Sequence, residues 1–169
     1  MEKETLLTTV QDALKAQFGE GFISSEMSYD FPVFTVHHNI ICDVVKFLYN
    51  HDELAFQYLT TLAGVHYPDN KGKEMAVVYH LHNLPKNLRI RIKIYVSTSE
   101  PVVPTITPVF SAANWMERQE YDFFGITFKG HPNLKRILNM DEMTYFPMRK
   151  EFPLEDGTRE DKDDKMFGR

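Results

Sequence analysis

Three short blocks in the C-terminal third of the chain hold most of its chemically capable side chains. The first, NWMERQEYDFFG, runs from Asn114 to Gly125 and gathers Trp115, Glu117, Arg118, Glu120 and Asp122 within about two helical turns. Asn114 and Glu117 have the N-cap and N3 spacing of a capping box. Arg118 and Asp122 are four residues apart, so they can pair on one helical face, for about 0.2–0.5 kcal/mol in isolation. A general-acid role for Glu117 or Glu120 needs a companion nucleophile or metal cluster, and none is near in the sequence. The chemistry left to this block is the ordering of a loop or the binding of a partner.

The second block, GHPNLKRIL, spans Gly130 to Leu138. His131, between glycine and proline, reads as a turn residue that hydrogen-bonds backbone. Lys135 and Arg136 face water or acidic groups of a partner. The third block, FPMRKEFPL, spans Phe146 to Leu154, and two prolines flank Arg149 and Lys150 there. Proline fixes its own φ and restricts its predecessor, so the segment is extended and stiff. From Lys129 to Lys150 there are five basic residues against two acids, Asp141 and Glu142, a balance suited to an acidic protein partner.

Other candidates carry less. His80 and His82 lie i, i+2 on one strand face and offer two metal ligands without a third nearby. Asn70-Lys71-Gly72-Lys73 is a turn without the glycine spacing of a P-loop. The serine-hydrolase, zinc-protease and dinucleotide glycine motifs are absent. Cys42 is the single cysteine, which excludes an internal disulfide and a four-thiolate cluster supplied by this chain. Its neighbours Ile40, Ile41, Val44 and Val45 make it apolar filler rather than a nucleophile.

The elements that must position these blocks follow from periodicity. Leu6, Val10, Leu14 and Phe18 recur every four residues, an amphipathic helix that Gly19 can end. Phe22–Ser28 and Val33–His37 are short β-type stretches. Asn39 caps a second helix with Ile40, Ile41, Val44, Val45, Phe47 and Leu48 as its apolar positions. Phe56–Leu62, Met75–His82 and Leu88–Ser97 read as strands. In the last, Leu88, Ile90, Ile92, Ile94 and Val96 share one face, with Arg89, Arg91 and Lys93 opposite, so one face meets a core and the other water or a partner.

The expected fold is α+β: a two-layer α/β sandwich in the order α-β-β-α-β-β-β, followed by a helix over about Ala112–Phe124 and an extended C-terminal arm. Residues 1–110 form the α+β domain, 111–154 the helix and motif-bearing partner-binding arm, and 155–169 a polar acidic tail. The 169 residues and 43% hydrophobic content suffice for one domain with its own core. A net charge of −5 argues against a general nucleic-acid-binding surface. No stretch of 18 apolar residues exists. The N-terminus carries charge where a signal peptide is apolar, so the expected compartment is the cytosol or a cytosol-facing membrane surface reached through partners.

Taken in order, the three blocks resemble the 30-kDa, or C-type, subunit family of the proton-pumping NADH:quinone oxidoreductase (respiratory complex I). The resemblance rests on Trp115, Glu117, Arg118, Asp122, Gly125 and Ile126. It continues through Gly130, His131, Pro132, Leu134, Arg136, Ile137 and Leu138, and ends at Pro147, Arg149, Lys150, Phe152, Pro153 and Leu154. Gln119, Met148 and Glu151 depart from the family's Glu, Leu and Asp. Upstream the likeness is looser, carried by the element order and LAGVHYPDN.

The resemblance implies a non-catalytic subunit of the hydrophilic arm, with no catalytic, cofactor or metal residues in this chain. FMN, Fe–S clusters, NADH and quinone would belong to other subunits of the complex. It implies a neighbour of the 49-kDa (D-type) kind, indirect attachment to the cytoplasmic face of the inner membrane, and no nucleic acid. Trp115, Glu117, Arg118, Asp122, His131, Arg136, Arg149, Lys150 and Phe152 are the expected partner-binding residues. Membrane-bound hydrogenases and other NADH-independent relatives share the module. The remaining alternatives are a free-standing enzyme built on Glu117, His131 and Arg136, and a nucleic-acid-binding module using Arg89, Arg91 and Lys93.

Overall fold

Alternation along one strand organises the whole sheet. In the computed structural model, which describes residues 3–152, β5 (Leu88–Val96) lies at the centre of five strands in the order β1-β2-β5-β4-β3. The others are β1 (Phe22–Ser28), β2 (Phe31–Val36), β3 (Tyr58–His66) and β4 (Met75–Asn83). Every pairing is antiparallel except β2 with β5, which is parallel. Leu88, Ile90, Ile92, Ile94 and Val96 are buried, and their cross-strand neighbours Met75, Val77, Tyr79 and Leu81 join them on the core face. The β4–β5 hairpin turns through Leu84–Asn87, as the proline-containing loop predicts.

Three helices cover that face. α1 (Lys3–Phe18) buries Leu6, Val10 and Leu14 against β1 and β2. α2 (Ile41–Asn50) buries Ile41, Val44, Val45 and Leu48. α3 (Ala113–Phe124) packs on β3. The two-layer α+β sandwich expected from periodicity is present, with the helices on one side of the sheet and, among the described residues, none on the other. None of the helices in the described residues is long and apolar enough to cross a membrane.

Several boundaries differ from the sequence reading. β2 begins at Phe31, with Pro32 inside it, and β3 runs on to His66 rather than ending at Leu62. Asn39 does not cap α2; it sits in a 3-10 turn over His38–Ile40 that leads straight into the helix. Cys42 is half-buried rather than core filler. Pro101, Pro104 and Pro108 punctuate the stretch after Glu100, and proline, which lacks an amide donor, breaks ladders. Even so, β6 (Val102–Pro104) pairs in parallel with β7 (Thr127–Lys129), directly after α3. Proline is tolerated there because β6 is short and ends on it, while Thr105 N–H donates to Lys129 O at 3.0 Å. Residues 153–169, which include Pro153, Leu154 and the acidic tail, lie outside the described residues.

Because Ile92 is fully buried at the centre of the sheet, Ile92→Ala should lower unfolding free energy by about 2–5 kcal/mol. Arg89→Ala on the opposite face should change it by less than about 0.5 kcal/mol. Urea denaturation followed by circular dichroism measures both.

Candidate functional site

α3 carries two functional stripes on opposite sides. Ala113, Glu117, Glu120 and Phe124, spaced i, i+4, i+7 and i+11, face the sheet and are buried. Trp115, Arg118 and Asp122, at i, i+3 and i+7, lie on the opposite side of the helix, since each residue advances about 100°. The first stripe fixes the helix to the domain. The second organises everything after it.

Two acids in the sheet-facing stripe are unexpected, and each has partners. Glu117 accepts a hydrogen bond from the Thr105 hydroxyl at 2.5 Å and from Ile106 N–H at 2.8 Å. Glu120 accepts from Gly64 N–H at 2.6 Å and from Gln119 Nε2 at 3.4 Å. Gly64 must be glycine: a Cβ there would stand 2.6 Å from Glu120 Oε2 and 2.7 Å from the Phe124 ring. Burial raises both carboxyls to about 7 despite these hydrogen bonds, which pull the other way. The capping box expected of Asn114 and Glu117 does not form. The helix starts at Ala113, its N-cap Ala112 makes no side-chain cap, and the Glu117 carboxylate is held by the Thr105–Ile106 turn.

On the outer stripe, the expected Arg118–Asp122 pair is replaced by longer reaches. Asp122 is fully buried. Its Oδ2 accepts from three consecutive amides, Ile137 at 3.1 Å, Leu138 at 2.8 Å and Asn139 at 2.9 Å. Its Oδ1 accepts from Arg136 Nη1 at 2.8 Å and Asn139 Nδ2 at 3.0 Å. Five donors on one carboxylate outweigh an exposed i, i+4 pair. Burial alone would raise this carboxyl. The amides of Asn139 and Leu138, with the Arg136 and Asn139 side chains, hold it far below the usual carboxylate range.

Arg136 extends the node. Its Nη1 also donates to Asp122 O at 3.0 Å, and its Nη2 to Met143 O at 2.7 Å and Tyr145 O at 3.1 Å. Arg118 donates to Lys135 O at 3.1 Å and Arg136 O at 3.0 Å while lying over the Trp115 ring. His131 behaves as expected of a turn residue. Its Nε2 donates to Asn114 O at 3.0 Å and its Nδ1 accepts from Asn133 N–H at 3.0 Å.

The third block closes over the end of α3. Gly125 ends the helix at φ 74°, its N–H donating to Tyr121 O at 2.9 Å. A Cβ there would meet the Phe146 ring at 2.5 Å, so both conformation and space require glycine. The guanidinium carbons of Arg136 and Arg149 lie 5.1 and 4.9 Å from that ring's centroid, and Arg149 Nε donates to Phe124 O at 2.7 Å. Lys150 N–H donates to His66 Nδ1 at 3.0 Å, tying the block to β3. The Lys150 side chain is exposed.

Of the groups expected to bind a partner, Arg118, His131, Arg136 and Arg149 are therefore engaged within the chain itself. Outward, among the charges of Lys135, Asp141, Glu142, Lys150 and Glu151, the segment turns several large apolar side chains. Leu138 and Met140 are 67% and 69% exposed, Trp115 is 61% exposed, and Tyr145, Met148 and Phe152 are also exposed. The Tyr145 and Phe152 rings pack against each other, tilted by 43° with centroids 5.0 Å apart. Glu117, His131 and Arg136 do not converge on one pocket: Glu117 faces the sheet, and the other two serve the loop on the far side of α3. Among the described residues, no three His, Cys, Asp or Glu side chains are grouped to hold a metal ion. Sequence reasoning missed Gly64 and Asn139, and it weighed Glu120 as an acid without seeing that it holds the helix to β3. Only the apolar ends of the Ala113–Phe124 stripe signalled that Glu117 and Glu120 face inward.

Fold and site together define a small α+β module whose last helix carries an irregular segment locked on by buried charge. The chain belongs to the respiratory-chain NADH dehydrogenase 30-kDa subunit family, whose pattern it matches over residues 34–158. It is 40% identical over 121 residues, 72% of its length, to the C subunit of the NADH-quinone oxidoreductase of Nocardioides sp.. It is 39% identical over 139 residues, 82% of its length and 73% of the relative's, to the second C-type subunit of the Rhizobium etli enzyme. It spans about half, 48%, of the Nocardioides protein. Among solved structures it resembles a trypsin-resistant fragment of Nqo5, with TM-score 0.63 and 27% identity over 79% of this chain and all of that one. It shares a fold, TM-score 0.72 at 21% identity over 91% of this chain and 87% of the other, with a chain of the membrane-bound sulfane sulfur reductase, an archaeal respiratory membrane complex.

Two outcomes follow from the buried carboxylates. Asp122→Ala leaves Arg136 and three amides without their acceptor and should cost about 3–5 kcal/mol. Asp122's contribution is full above its ordinary value of 3.8 and is lost as pH falls below it. Glu117 and Glu120 act in the opposite sense. Their folded values are raised from 4.5 to about 7, so the folded state binds more protons and stability falls between those limits as pH rises. Glu117→Gln should flatten that decline, by about 1–3 kcal/mol across the window, in urea titrations at pH 5 and pH 8.

Proposed function

We propose that this chain is a non-catalytic structural and assembly subunit of the hydrophilic arm of a proton-translocating NADH:quinone oxidoreductase. Electrons pass from NADH through FMN and Fe–S centres to quinone in other subunits. Its partners are the 49-kDa (D-type) subunit and other chains of that arm, on the cytoplasmic face of the inner membrane, with membrane contact only through them. The family membership supports the complex. One observation supports the manner of docking: the segment after α3 turns its arginines inward to backbone and leaves several large apolar side chains outside.

On this reading the site residues divide by task. Trp115, Lys150 and Phe152, with Leu138 and Met140, are the contacting groups. Trp115 and Phe152 are aromatic anchors of the kind that dominate interface energetics. Arg118, Asp122, His131, Arg136 and Arg149 support that surface from beneath, and Glu117 holds α3 to the domain. An ordered docking segment binds without first losing conformational entropy, which is the advantage of fixing it by intrachain hydrogen bonds. The fold likeness to a respiratory complex of another kind leaves an NADH-independent relative, such as a membrane-bound hydrogenase, as the second reading of the same module.

Leu138→Asp combined with Met140→Asp should leave the isolated chain's stability within about 0.5 kcal/mol of wild type. It should weaken association by about 2 kcal/mol or more, as loss of interface anchors does. Affinity purification of the tagged chain from its native host reads the second effect, and normal recovery of the complex would count against this face as the docking surface. NADH-driven quinone reduction by the intact, cluster-replete complex separates the two readings, and its absence favours the NADH-independent one.

A further inference from the structure

The sheet face turned away from the helices has an organisation of its own. Cross-strand register places Phe31 and Val33 of β2, Arg89, Arg91, Lys93 and Tyr95 of β5, and His80 and His82 of β4 on this side. The three cations occupy alternate positions of one strand, about 7 Å apart. Among the described residues, no carboxylate lies within 4.0 Å of any of them, and the ion pairs found there are elsewhere.

Their positions are held by neutral contacts instead. Arg91 lies over the Phe31 ring at 5.2 Å, and its Nε donates to His80 Nε2 at 2.9 Å. Lys93 lies 5.1 Å from the Tyr67 centroid and 4.9 Å from that of Tyr95. Arg89 is exposed, and with Phe31, Thr61 and His80 it lines a shallow recess of about 140 Å³. Burial and the neighbouring Arg91 both lower the His80 pKa, so His80 neither neutralises the arginines nor adds to their charge at neutral pH. The nearest acid on this face by register is Glu26, on the edge strand β1 beside Val33. In a chain with net charge −5, this sheet face thus carries a positive row that no carboxylate of the described residues pairs.

We propose that this face is a second interface, which takes an extended acidic segment of a neighbouring protein with its carboxylates on Arg89, Arg91 and Lys93. Alternate side chains of an extended peptide repeat at the same spacing as the three cations. Guanidinium groups pair bidentately with carboxylates. A single-stranded nucleic acid fits less well: the Phe31, Tyr67 and Tyr95 rings that would stack bases already carry cations. The interface is separate from the Trp115–Phe152 surface and does not depend on which complex the chain belongs to.

The test is amide-resolved NMR on the full-length ¹⁵N-labelled chain, titrated with a synthetic peptide of alternating Glu and Thr. An alternating Lys and Thr peptide and a short oligouridylate serve as comparison probes. Shifts should centre on β5 and β4, and affinity should fall about tenfold as salt is raised from about 20 to about 150 mM. Arg89→Gln with Arg91→Gln and Lys93→Gln should weaken binding about tenfold or more, with the amides of Ile137–Asn139 unmoved. Should the triple variant not fold, the exposed Arg89→Glu alone should weaken it several-fold. Absence of shifts, shifts confined to Trp115 and residues 136–152, equal binding by the variants, or the same shifts at lower oligouridylate concentration would each overturn the proposal.

Discussion

A carboxylate removed completely from water is tolerated only where charged and neutral donors surround it, and Asp122 is the residue on which the C-terminal third depends. Its two oxygens collect three successive amides, one amide side chain and one guanidinium. The successive amides form a small anion-binding concavity of the kind usually offered to phosphate, filled here by the chain's own side chain. Arg136, fixed by that contact, then satisfies the carbonyls of Met143 and Tyr145. A stretch without helix or strand after Lys129 is held by one buried ion pair and its hydrogen bonds.

This arrangement explains why the segment can be irregular and still present a defined surface. Backbone groups outside regular structure need partners if they are buried, and Asp122, Arg118, Arg136 and Arg149 supply them. With its arginines turned inward to backbone, the segment leaves several apolar side chains outside, beside the exposed Lys135, Asp141, Glu142 and Lys150. Exposed side chains such as Leu138 and Met140 are unremarkable singly, but several on one ordered segment mark an interaction site.

The layers of the fold were legible from periodicity, because β5 alternates without interruption and α1 keeps a four-residue apolar spacing. The small β6–β7 sheet was not, since three-residue strands carry too little pattern and proline in one of them argues against a ladder. The α3 block was legible as chemistry but not as geometry. A reading by hydrophobicity puts Glu117 and Glu120 in water, although they share a stripe with Ala113 and Phe124. The i, i+4 spacing of Arg118 and Asp122 suggests a local pair, and nothing local reveals that residues 136–139 compete for the carboxylate. The ordered motifs carried the family assignment, and Gly125, Asp122, Arg136 and Arg149 within them all make contacts that hold the folded segment.

The central claim is that the segment after α3 is built by the chain itself and not by its partner. Native-state hydrogen exchange on the isolated full-length chain at neutral pH reads this directly at Ile137, Leu138 and Asn139, whose amides bond Asp122. Protection of these three amides well above that of exposed loops, approaching that of α3, is the predicted result. Exchange at the rate of an unstructured peptide, while α3 and the sheet remain protected, would contradict it.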